Sequence, residues 1–193
     1  MRKIIQLTFL SLVFLISGQL AALELKGIEI PQKFTQKSSG KELVLNGSGI
    51  RTKFVFSIYV GALHVAQKSK DPVAIINSDS AKAVTMYFLY DKIEKKKLTD
   101  GWTEGFEENL SEEMFSKLKT KIDQFNSYFP DVVSGDIVLI DFLPSGNTQL
   151  TINNKVVGEV KGKDFQQAVL KIWLGNEPAD EDLKNGMLGQ AEE

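Results

Sequence analysis

The 193-residue chain has no cysteine, and that absence removes several chemistries at once. Thiol catalysis, a thiolate metal site and a disulfide all need a side chain that is missing. A lipid-anchored exported protein is excluded too, since no cysteine follows the leader described below. Histidine is nearly as scarce. His64 is the only one, so a histidine-rich metal site lacks ligands and any Ser-His-Asp triad would have to use it. With no orienting partner to name, His64 reads as a packed or rim residue rather than a base. Gly47-Ser48-Gly49 lacks both a nucleophile elbow and the further glycines of a dinucleotide loop. Glu107 and Glu108 point in different directions around a helix, unlike the cleft-spanning pair of a glycosidase. Neither a metal nor a cofactor is expected.

An excess of positive charge is missing as well. The chain carries 23 basic and 25 acidic residues. Arg2 and Lys3 lie in the leader and every acidic residue lies beyond it, so the formal charge of the remainder moves from −2 to −4. A nucleic-acid partner is therefore not expected, because neutralising phosphates takes concentrated basic charge. The one basic run, Lys95-Lys96-Lys97, is flanked by Glu94 and Asp100 and reads as a solvated loop.

A long hydrophobic run is the third absence. Ile4 to Ile16 is apolar apart from Gln6, Thr8 and Ser11, shorter than the span of about 20 residues a membrane helix needs. Preceded by Arg2 and Lys3 and followed by Ser17, Gly18, Ala21 and Ala22, it has the form of an export signal over residues 1–22. The expectation is an exported, periplasmic protein with no membrane span after signal removal, its single domain covering 23–193.

What is present alternates turn chemistry with short apolar runs, which suits an antiparallel sheet better than repeated βαβ units. Strands are expected at Ile28 to Ile30, Glu42 to Leu45, Lys53 to Val65, Ala83 to Leu89, Asp136 to Asp141, Gln149 to Asn153 and Val156 to Val160. Asn153-Asn154 is suited to a tight hairpin turn, since asparagine tolerates positive φ. In the run from Lys53, one parity (Phe54, Phe56, Ile58, Val60) is uniformly apolar and suits packing under helices. The other, with Ser57, Tyr59 and Gly61, either lines a cavity or meets solvent.

Helical spacing follows: Phe106, Leu110, Met114, Leu118, Ile122, Phe125 and Phe129 recur at three- and four-residue intervals, with a break and restart at Ser111. A last long helix starts near Asp164, a candidate N-cap, carries Phe165, Ala168, Val169, Ile172 and Trp173 on one face and stops at Gly175. Pro178 permits a short terminal helix through Leu183, Met187 and Leu188. The fold class is α+β, an antiparallel sheet covered on one face by helices.

One charged residue stands out against this background. In Asn46 to Val65, NGSGIRTKFVFSIYVGALHV, a glycine turn is expected to deliver Arg51 to the head of an otherwise apolar strand. Its guanidinium stays charged at any biological pH and carries five donors in a fixed fork, so beside apolar walls it would bind a carboxylate or phenolate. From this segment alone it reads equally as a surface ion-pair partner or a clamp on loop carbonyls.

Four segments together, 46–65, GWTEGFEENL at 101–110, GDIVLIDFLPSGNTQLTINNKVVGEVKGKDF at 135–165 and IWLGNEPADEDLKNGMLG at 172–189, resemble the chalcone isomerase-like superfamily, in particular its exported bacterial branch. The resemblance implies an open-faced sandwich with a ligand cleft between sheet and helices. It also implies one of three roles: flavonoid-forming isomerase, fatty-acid-binding protein, or a binding or assisting member without turnover. Arg51 and Asn109 match the family's cleft arginine and asparagine. Tyr59 stands where the plant enzymes have threonine, Trp102 where they have tyrosine, Gly105 where they have lysine, and Ile172 where serine or threonine is expected. Losing such donors removes transition-state stabilisation, since one oxyanion donor alone is worth about 3 to 4 kcal/mol. The resemblance therefore implies a non-catalytic protein binding a small amphipathic anion such as a fatty acid, with Arg51, Tyr59, Trp102 and Asn109 as ligand-binding residues. The alternative is an intramolecular lyase or isomerase acting on an enone without a cofactor, with Arg51, Tyr59 and Asn109 as its catalytic residues. A protein partner is not identified.

Overall fold

The computed structural model describes residues 22–190. The expected leader, apart from its last residue, lies outside them. Strands β1 (Leu23–Leu25) and β2 (Ile28–Ile30) form a hairpin of their own. Then come β3 (Lys33–Gln36), β4 (Lys41–Lys53), β5 (Phe56–Val65), α1 (Pro72–Asn77), β6 (Lys82–Phe88) and β7 (Lys92–Ile93). Helices α2 (Lys95–Asn109) and α3 (Glu112–Ser127) lead into β8 (Val132–Val133), β9 (Ile137–Phe142), β10 (Thr148–Ile152) and β11 (Lys155–Val160). The chain closes with α4 (Lys163–Leu174) and α5 (Glu181–Met187). Seven strands pair antiparallel in the order β11-β10-β9-β6-β5-β4-β3, while β7 pairs with β8. No described helix is long and apolar enough to cross a membrane.

The helices cover one face of this sheet. Tyr59, Leu63 and Val65 of β5 and Val84, Met86 and Phe88 of β6 meet Trp102, Phe106, Phe125, Phe165, Val169 and Trp173 in one continuous core. The β1–β2 hairpin covers part of the opposite face, where Ile30 packs on Leu45, Val60 and Ala62. The sheet curls so far that Gln36 on the edge strand β3 donates to Asp141 Oδ1 on β9, although three strands lie between them.

Local chemistry explains most element ends. Ser111 breaks the long stripe and caps α3, its Oγ accepting from Met114 N. Gly175 ends α4, as expected. Asn153 and Asn154 both take positive φ, 48° and 66°, in the β10–β11 hairpin. The last long helix begins one residue before Asp164, whose carboxylate accepts from Phe165 N and from Lys121 Nζ at 2.7 Å inside the first turn.

Three expectations are corrected. Gly47-Ser48-Gly49 is not a turn but the middle of β4, and the glycines are there because α5 lies directly on the strand. A Cβ on Gly47 would overlap the carbonyl oxygen of Gly186, and one on Gly49 would come within 2.9 Å of Leu183 Cα. The expected strand Lys53 to Val65 is interrupted by a two-residue hairpin turn at Phe54-Val55. Its parity is inverted too: Tyr59, Leu63 and Val65 lie under the helices, Val60 and Ala62 lie on the far face, and Phe54 and Phe56 are exposed. A register shift beside Arg51 leaves Ile58 without a partner on β4, and that extra residue displaces the alternation. Lys95-Lys96-Lys97, expected in a loop, instead forms the first turn of α2.

Candidate functional site

Arg51 sits near the end of β4, directly across from Tyr59 on β5. Its guanidinium lies over the Tyr59 ring, 5.8 Å from the centroid. Among the described residues Arg51 has no carboxylate within ion-pair distance, and its buried Nε has no hydrogen-bond partner. Asp180, the nearby N-cap of α5, is engaged elsewhere: Oδ1 accepts from Leu183 N and Oδ2 from Thr52 N. A charged fork is thus left facing open space.

That space has two parts. A small void of about 20 Å³ lies between Arg51, Tyr59, Trp102 and Ile172. A larger cavity of about 510 Å³ runs outward from Arg51 between β5, β6, β7 and α2, walled by Phe56, Ile58, Phe88, Ile93 and Leu98. The lining mixes these apolar side chains with charged ones, Arg51 and Lys53 on β4, Lys92 on β7 and Lys97, Asp100 and Glu104 on α2, a combination that suits an amphipathic molecule.

Tyr59 is only 4% exposed, and its hydroxyl accepts from Trp173 Nε1 at 2.9 Å, tying β5 to α4. Burial pushes the phenol pKa up, with the Arg51 charge pulling partly the other way. At neutral pH Tyr59 is therefore a neutral phenol that can donate but cannot act as a base. Trp102 is also buried, flanked by Phe125, Phe129 and Trp173, and its Nε1 lacks a partner among the described residues. Arg51, Tyr59 and Trp102 are thus brought together, each with donor capacity in reserve.

Asn109 is not brought to them. Its Nδ2 donates to the carbonyls of Gly105 and Glu177 and its Oδ1 accepts from Glu177 N, clamping the end of α2 to the loop after α4. The side chain is fully engaged with backbone there. Asn109→Ala should lower the urea midpoint by the equivalent of about 1 to 2 kcal/mol and change fatty-acid affinity by less than about twofold, because its bonds are local to that loop. A large loss of affinity in a titration would put it back in the site.

The remaining buried polar groups lie elsewhere. His64 Nε2 donates to Pro31 O at 2.8 Å, and burial lowers its pKa. Lys82 Nζ donates to Ser78 O and Ser80 O, with its pKa brought down by burial to about 8. Asp141 is held by Gln36, and burial raises its pKa to about 6. Sequence patterning missed the last two because each interrupts an apolar strand, and only the fold shows what surrounds it. Among the described residues, no group of three or more histidine or carboxylate side chains is gathered to hold a metal ion.

For Asp141, the folded chain holds the proton more tightly than the unfolded chain from about pH 4 to 6. Its contribution to stability is therefore most favourable at low pH and declines as pH rises through 6. Asp141→Asn keeps an acceptor for Gln36 and removes the buried charge. Urea titrations should show it about 1 to 3 kcal/mol more stable than wild type at pH 8, with the gap closing near pH 4. An equal gap at both pH values would contradict this origin.

The comparisons with known proteins agree with this architecture. No curated sequence matches. Among solved structures, the crystal structure of a fatty-acid binding protein from Arabidopsis thaliana superposes with a TM-score of 0.65 at 14% identity, covering 81% of this chain and 95% of that one. At that identity the likeness concerns the fold. A family model described as chalcone isomerase-like matches residues 22–189, nearly the whole described chain. The chain belongs to the chalcone isomerase-like family.

Proposed function

We propose that this protein binds a long-chain carboxylate such as a fatty acid, without turnover, holding the headgroup at Arg51 and the chain in the cavity beneath α2. The observation that carries the reading is the unpaired Arg51 guanidinium in the lining of a cavity of about 510 Å³ that also presents Phe56, Ile58, Phe88, Ile93 and Leu98. The buried Nε of that guanidinium, left without an acceptor, gains when a ligand supplies one. A carboxylate there would take two parallel N–H donors from Arg51 and one O–H donor from Tyr59. Each methylene it buries contributes about 0.8 kcal/mol. The fold shared with a plant fatty-acid binding protein supports the same class of ligand.

The reading without turnover rests on what surrounds the arginine. Tyr59 is a neutral phenol, Trp102 is a donor only, and Asn109 is committed to the Gly175–Glu177 loop. Of these, Tyr59 and Trp102 can donate to an anion and none is suited to removing a proton; the carboxylates that line the cavity are Asp100, paired with Lys96, and Glu104. The leader-like segment supports action outside the cytoplasm, in the periplasm.

Native mass spectrometry of the protein purified from its own host tests this. The expected spectrum shows an added mass that lipid extraction identifies as an acyl carboxylate. An empty protein that also fails to take up added oleate would overturn the reading.

A further inference from the structure

The β4–β5 hairpin at the edge of the same cavity carries a second feature. At the β4–β5 hairpin tip, Phe54 is 90% exposed and Val55 85%, with Phe56 and Tyr90, which meet edge to face at 5.6 Å, exposed beside them. Phe54 has a φ of 57°, the left-handed region where glycine is favoured and a bulky residue is strained. The turn thus carries an exposed aromatic ring at a position where local backbone chemistry disfavours one. None of the described residues covers it.

Charge around the tip has one dominant sign. Arg51, Lys53, Lys92 and Lys97 line the cavity against Asp100 and Glu104. Asp100 pairs with Lys96, and Lys92 with Asp131 of the β8 side, leaving Lys53 and Lys97, against Glu104 alone, without an ion-pair partner among the described residues. Lys95, Lys96 and Lys97 occupy the first turn of α2, where they oppose the helix dipole; of these Lys97 lines the cavity, Lys96 pairs with Asp100 and Lys95 Nζ donates to Ser127 O. These lysines stand on a chain whose formal charge is −2. A small projecting apolar tip flanked by the unpaired Lys53 and Lys97 complements an anionic bilayer: aromatic and aliphatic groups enter the acyl boundary while lysines meet the phosphates.

We propose that the β4–β5 hairpin tip docks on an anionic phospholipid surface, placing that edge of the Arg51 cavity against the bilayer so that an amphiphile passes between membrane and protein. The transfer step rests on the ligand reading above; the docking does not.

Flotation with vesicles of phosphatidylcholine alone and of phosphatidylcholine mixed with phosphatidylglycerol tests it. The wild type should float with the mixed vesicles and not with the neutral ones, and added salt should weaken the association. Val55→Glu, at a position that does not line the cavity, should weaken it more than about tenfold by replacing a buried methyl pair with a repelled charge. Val55→Trp should strengthen it and shift tryptophan emission to the blue on mixed vesicles, since Trp102 and Trp173 are already buried. Oleate uptake without vesicles should be the same in both variants as in the wild type. A wild type that takes oleate but ignores mixed vesicles, or a Val55→Glu chain that floats as well as wild type, would overturn the docking proposal while leaving the ligand reading standing. A protein that floats but takes no oleate would do the reverse.

Discussion

Replacing Arg51 with glutamine should weaken binding of a long-chain fatty acid by about 2 to 4 kcal/mol, roughly 30- to 1,000-fold. The size of the effect follows from where the guanidinium stands. Its Nε is buried, no carboxylate of the described residues closes on it, and the space beside it opens into a cavity with apolar side chains in its lining. A ligand carboxylate in that space exchanges water for a bidentate charged pair in a medium of lower dielectric, where the pair is worth more than at a surface. Glutamine keeps one donor and much of the length but loses the charge and the fork. The matching fatty alcohol provides the control: it should bind wild type and variant within a few-fold of each other, since its interactions are mainly along the chain. Calorimetric titration of both amphiphiles into both proteins measures this directly. Equal losses for acid and alcohol would mean that Arg51 shapes the cavity rather than holding the headgroup.

The second large effect is on stability. Gly186→Ala and Gly47→Ala should each lower unfolding free energy by about 3 kcal/mol or more. In both cases the added Cβ meets backbone: Gly186 faces Ser48 O and the Gly49 Cα, and Gly47 faces Gly186 O. Neither side can swing away as a flexible side chain would, so α5 must lift from β4. Asp180 caps that helix and also accepts from Thr52 N, next to Arg51, so the displacement would propagate to the ligand arginine. Gly101→Ala is the contrast, because its Cβ would meet nothing within 4 Å and alanine favours the helix by about 0.8 to 1 kcal/mol. Urea midpoints for the three variants give the ordering. A Gly186→Ala protein as stable as wild type would contradict the close packing of α5 on the sheet.

These glycines also show why part of the fold was legible in the sequence and part was not. Ser111, Gly175 and the Asn153-Asn154 pair act through their own backbone neighbours, so the elements they bound could be read from local chemistry. Gly47 and Gly49 act through α5, more than 130 residues away, and nothing local separates a glycine needed for close approach from one needed for a turn. The parity of β5 failed for a related reason: one extra residue at Ile58 reverses an alternation, and the β1–β2 hairpin hides Val60 on the face that was expected to be open. Arg51 and Tyr59 were named together through the family resemblance, whereas their pairing across a hairpin was not legible because the turn lay inside what read as one strand. Nor was the role of Asn109, since its partners are carbonyls and an amide contributed by the Gly105 turn and the loop after α4, which no spacing rule anticipates. The exposed Phe54-Val55 tip was hidden inside what read as one continuous strand.

The most direct measurement is a pH titration, by NMR, of a fatty acid labelled with carbon-13 at its carboxyl and bound to the protein. Facing the Arg51 guanidinium, the carboxylate should stay ionised well below the pH at which the same acid protonates in a neutral apolar site, and the Arg51→Gln complex should return it to ordinary or raised values. A bound carboxyl that titrates identically in the wild type and in Arg51→Gln would show that the headgroup lies elsewhere and contradict the site.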